Sequence, residues 1–393
     1  MASLISWLDA NTAETARLRE IARMFETPDS IDDLALGQFR DTISNALFPG
    51  TSVLHVAARY LLLVPWCYQT ASSARSPEGI LRDAKAAEKQ LIRRFHELNA
   101  KRFIGSTAGD GVAQLPSVAY WSALKKWGIV REDVERNAIG DATVEHAAAQ
   151  RDGISERPVW HAGLPPAPEG FPRTEARGIE LNRAEAEWIR DRILATVPNA
   201  MLAQLAAKPQ YILKSNNRPW TDPAAQSAVG EAAVWLKHAE AFSALQHGLE
   251  ALYAFLVTTE LRRQLGEEPE DDDAAALNGW LADSVAQDVI LMWNVEEFIE
   301  LVRAANPRIQ LGNIAFLTST LDQVRSGTDP LINMMLHSMI RAREKRAKGA
   351  NSRFLNKRRL HNWTAPTQVG VQTFRWTQVR NMMVDLREGL ARA

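Results

Sequence analysis

Nine lysines and arginines fall within the 19 residues from Arg341 to Arg359, RAREKRAKGANSRFLNKRR, and Glu344 is the only acid among them. The whole chain has 393 residues and a formal net charge of −1, so this excess is local. Such a block repels itself unless an anion or an acidic surface neutralises it. Phosphate fits the chemistry. Arg341, Arg343, Arg346, Arg353, Arg358 and Arg359 carry forks that match phosphate oxygens, and Lys345, Lys348 and Lys357 are point charges. Asn351 and Asn356 add neutral donors. Trp363 follows, then Phe374, Arg375 and Trp376, and basic residues interleaved with aromatics are the composition of a nucleic-acid contact surface. Contacts of this kind position a duplex without reading its sequence. Two other readings stay open: a solvated helix end, and pairing with an acidic surface. The latter includes the chain's own EEPEDDD at 267–273, with six acids in seven residues. On the phosphate reading, reversing Arg346, Arg353 and Arg358 to Glu is expected to abolish binding and spare the fold.

A second candidate lies at 115–138. LPSVAYWSALKKWGI reads as a short helix stopped at Gly128, and Arg131 to Ala138 as a second one. A helix-turn-helix or small winged-helix-like element would turn Lys125, Lys126 and Arg131 toward phosphate. The alternative is plain packing.

No motif identifies a reaction. There is no Gly-Lys pair for a phosphate-binding loop, and G-x-G-x-x-G, G-x-S-x-G and H-E-x-x-H are absent. Glu78 with Asp83-x-Lys85 has the letters of a metal-dependent nuclease but sits in a helical segment. On one long helix, Glu240, His247 and Glu250 reverse the order of a helical carboxylate metal site, and no second helix repeats it. A lone Cys67 excludes an intramolecular disulfide and a cysteine zinc site. The acidic loop lacks the alternating ligands and central glycine of a calcium loop. No catalytic residue, metal or cofactor is assigned.

These side chains need a scaffold, and its patterning is helical. With 46% apolar and 24% charged residues the chain can bury a sizeable core. Most of the twelve tryptophans are expected in it. Helices are expected at 12–25, 30–47, 51–64, 77–102, 181–196, 230–263, 274–290, 295–305, 312–325, 330–348 and 377–393. Pro65 would end or kink one of them. Leu331, Met334, Met335 and Met339 would form the apolar face of the 330–348 helix. The only strand candidates are 369–375 and 209–214. The class is therefore mainly α, multi-lobed, with few short strands. An N-terminal lobe (1–150) would join a C-terminal lobe (181–393) through a Pro/Gly-rich connector (151–180) pinned by Trp160 and Phe171. The start of the chain lacks a basic leader, and the longest apolar run, 60–66, is too short to span a bilayer. A cytoplasmic protein with no membrane contact is expected.

Several blocks, in order, resemble an uncharacterised bacterial family known only as a domain of unknown function. They are SLISWLD at 3–9, LFPGTSVLHVAARYLLLVPW at 47–66, LPSVAYWSALKKWGI at 115–129, WHAGLPPAPEGFP at 160–172, HAEAFSALQHGLEALYAFL at 238–256, REKRAKGANSRFLNKRRLHNW at 343–363 and FRWTQVRNMMVDLREGL at 374–390. The resemblance brings no catalytic residues. It implies a setting beside helicase and nuclease genes in anti-phage defence clusters. His55 stands where a more basic segment would be expected, which argues against DNA contact by that helix. The expected function is a non-catalytic, nucleic-acid-associated subunit that contacts DNA phosphates and docks a helicase or nuclease. The alternatives are an adaptor without nucleic-acid contact and a metal-dependent nuclease.

Overall fold

The computed structural model describes residues 33–72, 76–366 and 369–392, so the helix expected at 12–25 lies outside the described residues. Among these residues the chain is mainly α, as expected, with sixteen α-helices. The only β pairing among them is one antiparallel bridge between Val130 and Trp160. Neither strand candidate is a strand. Pro209 starts a single 3₁₀ turn to Tyr211. Residues 369–373 find no neighbouring strand for their backbone groups, although Ser243 Oγ donates to the Gln372 carbonyl.

The chain divides into two compact units, each discontinuous in sequence. One comprises Asp41–Glu240 with Thr373–Ala393, the other the residues up to Arg40 with Ala241–Gln372. The 151–180 connector lies inside the first unit rather than between lobes. Trp160 stacks with Tyr68 and Trp121, and Phe171 meets Trp66 edge-on at 5.5 Å.

The first unit is built on the Tyr60–Ala71 helix, which is buried along most of its length. The sequence suggested a helix from Thr51, but residues 51–58 are turns and irregular backbone. Their amide groups are satisfied from outside. The Tyr120 hydroxyl accepts from the N–H groups of Val56 and Ala57 and donates to the Ala57 carbonyl, while Asp385 accepts from Ala58. Pro65 neither ends nor starts this helix and lies inside it. Arg59 is fully buried, and its guanidinium donates to Glu175, Glu185 and the Gly178 carbonyl. Glu185 also closes a capping box with Asn182 at the start of the Arg183–Thr196 helix. One buried carboxylate thus orients a helix and ties the connector to the core.

In the second unit Phe39, Phe242 and Phe298 form an aromatic cluster with ring centroids 5.7–6.0 Å apart. The Glu231–Leu265 helix runs where the apolar periodicity puts it. At Gly248 the Trp280 ring occupies the space a Cβ would need, 2.2 Å away, and the Trp280 indole donates to the Ala244 carbonyl. The helix expected at 274–290 is two, Ala275–Ala282 and Ser284–Leu291, because Asp283 turns out of the first and caps the second through the Ala286 N–H. Asn294 and Asn333 cap the helices Val295–Ala305 and Met334–Lys348 in the same way.

Candidate nucleic-acid interface

The Met334–Lys348 helix carries the first half of the basic block, and its buried face inverts the expected one. Leu336, His337, Ile340, Arg343, Glu344 and Lys348 point inward, while Met334 and Met335 are exposed. The inward cations are therefore structural. Arg343 donates to the carbonyls of Leu34 and Ala35 and to Asn313, with its guanidinium over the Phe316 ring. Lys348 and Arg353 both pair with Asp33, and Arg353 donates to the Tyr253 hydroxyl at 2.6 Å. Burial of a cation is tolerable because these partners replace the lost water.

Glu344, the one acid of the block, does not offset the charge of its neighbours at the surface. It is fully buried, accepts the Ser352 hydroxyl and accepts the Arg353 N–H at 2.8 Å. This turns the chain back after Gly349, whose positive φ of 53° suits a glycine. The returning segment is held by Asn356, which donates to the Ala350 carbonyl and caps the short Lys357–His361 helix through the Arg359 N–H.

Four cations remain outside. Lys345, Arg346, Lys357 and Arg358 are exposed, and among the described residues none of them enters an ion pair. Arg341 and Arg359 are half-buried. Arg341 lies over the Phe354 ring, and Arg359 donates to Asn351. Trp363 is not an open stacking platform. Its indole donates to Thr258, and the Arg353 guanidinium covers its ring at 4.6 Å. More widely, eight tryptophans are buried and none is exposed among the described residues. Arg353 cannot serve as a surface charge, so reversing it would strike the fold.

The acidic loop does not cover this block. Glu267, Glu270 and Asp273 converge on Arg262, at the end of the preceding helix.

The second candidate belongs to the other unit. The Pro116–Lys126 helix is present, but residues 131–138 are turns, and the next helix is Ile139–Arg151. Val130 is committed to its bridge with Trp160, and the Trp121 indole donates to the Val134 carbonyl, so this stretch wraps the helix rather than forming one. Lys125 pairs with Glu135 at 2.5 Å and Arg131 with Asp133 at 2.7 Å, while Lys126 is exposed.

Sequence reasoning missed a buried polar group beneath this helix. The Glu88 carboxylate accepts the Ser117 N–H at 2.7 Å, and burial pushes its pKa up to about 7. Nearby, His55 stacks on Tyr120 at 4.2 Å, and burial pushes its imidazole down to about 4. A charged residue at an apolar position of the 77–97 pattern was the only available signal for Glu88. No group of three or more His, Cys, Asp or Glu is arranged to hold a metal among the described residues. No described helix is long and apolar enough to cross a membrane.

Residues 2–389 match a family described only as of unknown function, DUF6361, and the chain belongs to it. No curated protein and no solved structure matches the chain.

Proposed function

For this DUF6361 protein we propose a nucleic-acid-associated, non-catalytic role, in which Lys345, Arg346, Lys357 and Arg358 neutralise phosphates and Arg341 and Arg359 assist from the edge. The observation that carries it is the sorting of one basic block into two sets. Three cations are consumed internally and fix the segment, while four stand in solvent without an ion-pair partner among the described residues. A charge held by a folded turn loses less conformational entropy on binding than one on a loose tail. The resemblance to defence-associated proteins adds the setting: DNA, with a helicase or nuclease docked on the same protein to supply the chemistry.

The test is duplex and single-strand binding by the full chain carrying K345E, R346E, K357E and R358E together. All four sites are exposed, so the melting temperature should stay within a few degrees. Binding at low salt should fall by more than about a hundredfold. Wild-type affinity in the folded variant would refute the assignment.

A further inference from the structure

The same unit presents a second surface of opposite character. Leu291, Met292, Ile332, Met334 and Met335 are all exposed large apolar side chains, from 57% for Leu291 to 78% for Met292. Two contacts bring their segments together. The Arg325 guanidinium donates to the carbonyls of Ile290 and Trp293, fixing the turn that bears Leu291 and Met292 at the end of the Leu311–Arg325 helix. Asn333 donates to Gln323, one turn earlier on that helix, fixing the segment that bears Ile332 and Met334. Gathered apolar side chains of this size are unusual on a soluble surface unless something covers them. Methionine suits a surface that must adapt to another side-chain array.

The surrounding charge selects the occupant. Asp288 lies one turn before Leu291 and Met292, and Glu296 one turn after Met292. Asp322 lies one turn before Arg325, and Asp329 three residues before Ile332. All four acids are exposed. From 283 to 335 the chain has seven acids and three bases, and one of those bases, Arg325, is taken up by backbone carbonyls. An anionic or neutral partner would therefore be repelled or left unmatched here. We propose that this acid-rimmed methionine face docks a cationic amphipathic helix of a partner protein. The apolar stripe of that helix lies on the methionines, and its Lys and Arg residues reach the carboxylates. This face shares no residue with the exposed cations, so the two assignments stand or fall separately.

The probe is an 18-residue helix-forming peptide with a leucine face and a lysine face, titrated into the full chain. A leucine/glutamate counterpart is titrated alongside. The lysine peptide should bind at least tenfold tighter than the glutamate peptide, and salt should weaken it. Met292→Asp with Met335→Asp, both at exposed sites, should lower its affinity tenfold or more while the melting temperature and duplex binding stay unchanged. Asp288→Asn, Glu296→Gln and Asp322→Asn together should lower it about threefold to tenfold and flatten its salt dependence. Equal binding of the two peptides, binding of neither, or full retention by the methionine variant would overturn the proposal. So would a dimer in sedimentation that the methionine variant dissolves, because the occupant would then be a second copy.

Discussion

At 115–138, Lys125 and Arg131 each meet a carboxylate within about ten residues of sequence, in Glu135 and Asp133. At 341–359, the paired cations reach for Asp33 and the carbonyls of Leu34 and Ala35, about three hundred residues away in sequence, and four others pair with nothing described. Both regions look alike as basic stretches after a helix. They differ in whether acids close by in the chain quench the charge. A basic run is informative about binding only after its internal debts to the fold are subtracted, and here that subtraction leaves a surface in one region and a single exposed lysine, Lys126, in the other.

The comparison breaks most readily through the buried half of the block. Arg353→Ala removes the partner of Asp33 and Tyr253 and uncovers the Trp363 ring. It should cost about 2–4 kcal/mol in urea unfolding, with Arg358→Ala as a control within about 0.5 kcal/mol. If the two variants were equally stable, the division into structural and surface cations would be wrong.

The other region is sharpened by pH. Glu88 has a folded pKa of about 7 against an ordinary 4.5. The folded state then holds more protons than the unfolded state between those values, and this contribution to stability falls as pH rises through them. His55 has a folded pKa of about 4 against 6.5, so its unfolded form holds more protons, and its contribution rises over that window. The two nearly cancel in the wild type. Glu88→Gln leaves His55 alone, and stability should then climb by about 2–3 kcal/mol from pH 4 to 6.5. Urea titrations at the two pH values check this, and a flat response in the variant would show that His55 does not titrate in this way.

Smaller effects follow. Ser352→Ala deletes the hydroxyl that Glu344 accepts and should cost about 1–2 kcal/mol in thermal unfolding. Lys125→Ala, losing one partly exposed ion pair, should alter duplex binding less than about twofold. A larger loss would return the 115–138 region to the interface.

Long periodic helices were legible in the sequence. The 230–263 and 295–305 patterns correspond to Glu231–Leu265 and Val295–Ala305, and Asn182 caps where a cap residue stood. The mainly α class followed from the same periodicity. What failed had one physical source, distant partners. The 51–64 segment could not reveal that Tyr120 and Asp385 would take its amides. The Met334–Lys348 helix offered methionines as its obvious inner face, yet Asp33, two carbonyls and Asn313 wait on the other side and draw Arg343 and Lys348 inward. Period alone cannot choose between two faces when the buried one is polar and satisfied. Glu344 is the sharpest instance. In sequence it is a lone acid diluting a basic run, and in the fold it is the clamp that turns the run back on itself.

The central claim is that exposed cations of 341–359, and not its whole charge, meet phosphate. A salt titration of duplex binding by the wild-type chain tests it most directly. Four exposed and two half-buried cations predict a log–log slope of about −4 to −5, at about −0.9 per phosphate contact. A slope near −8, as all nine cations would give, would contradict the internal pairing. No binding even at low salt would contradict the nucleic-acid role itself.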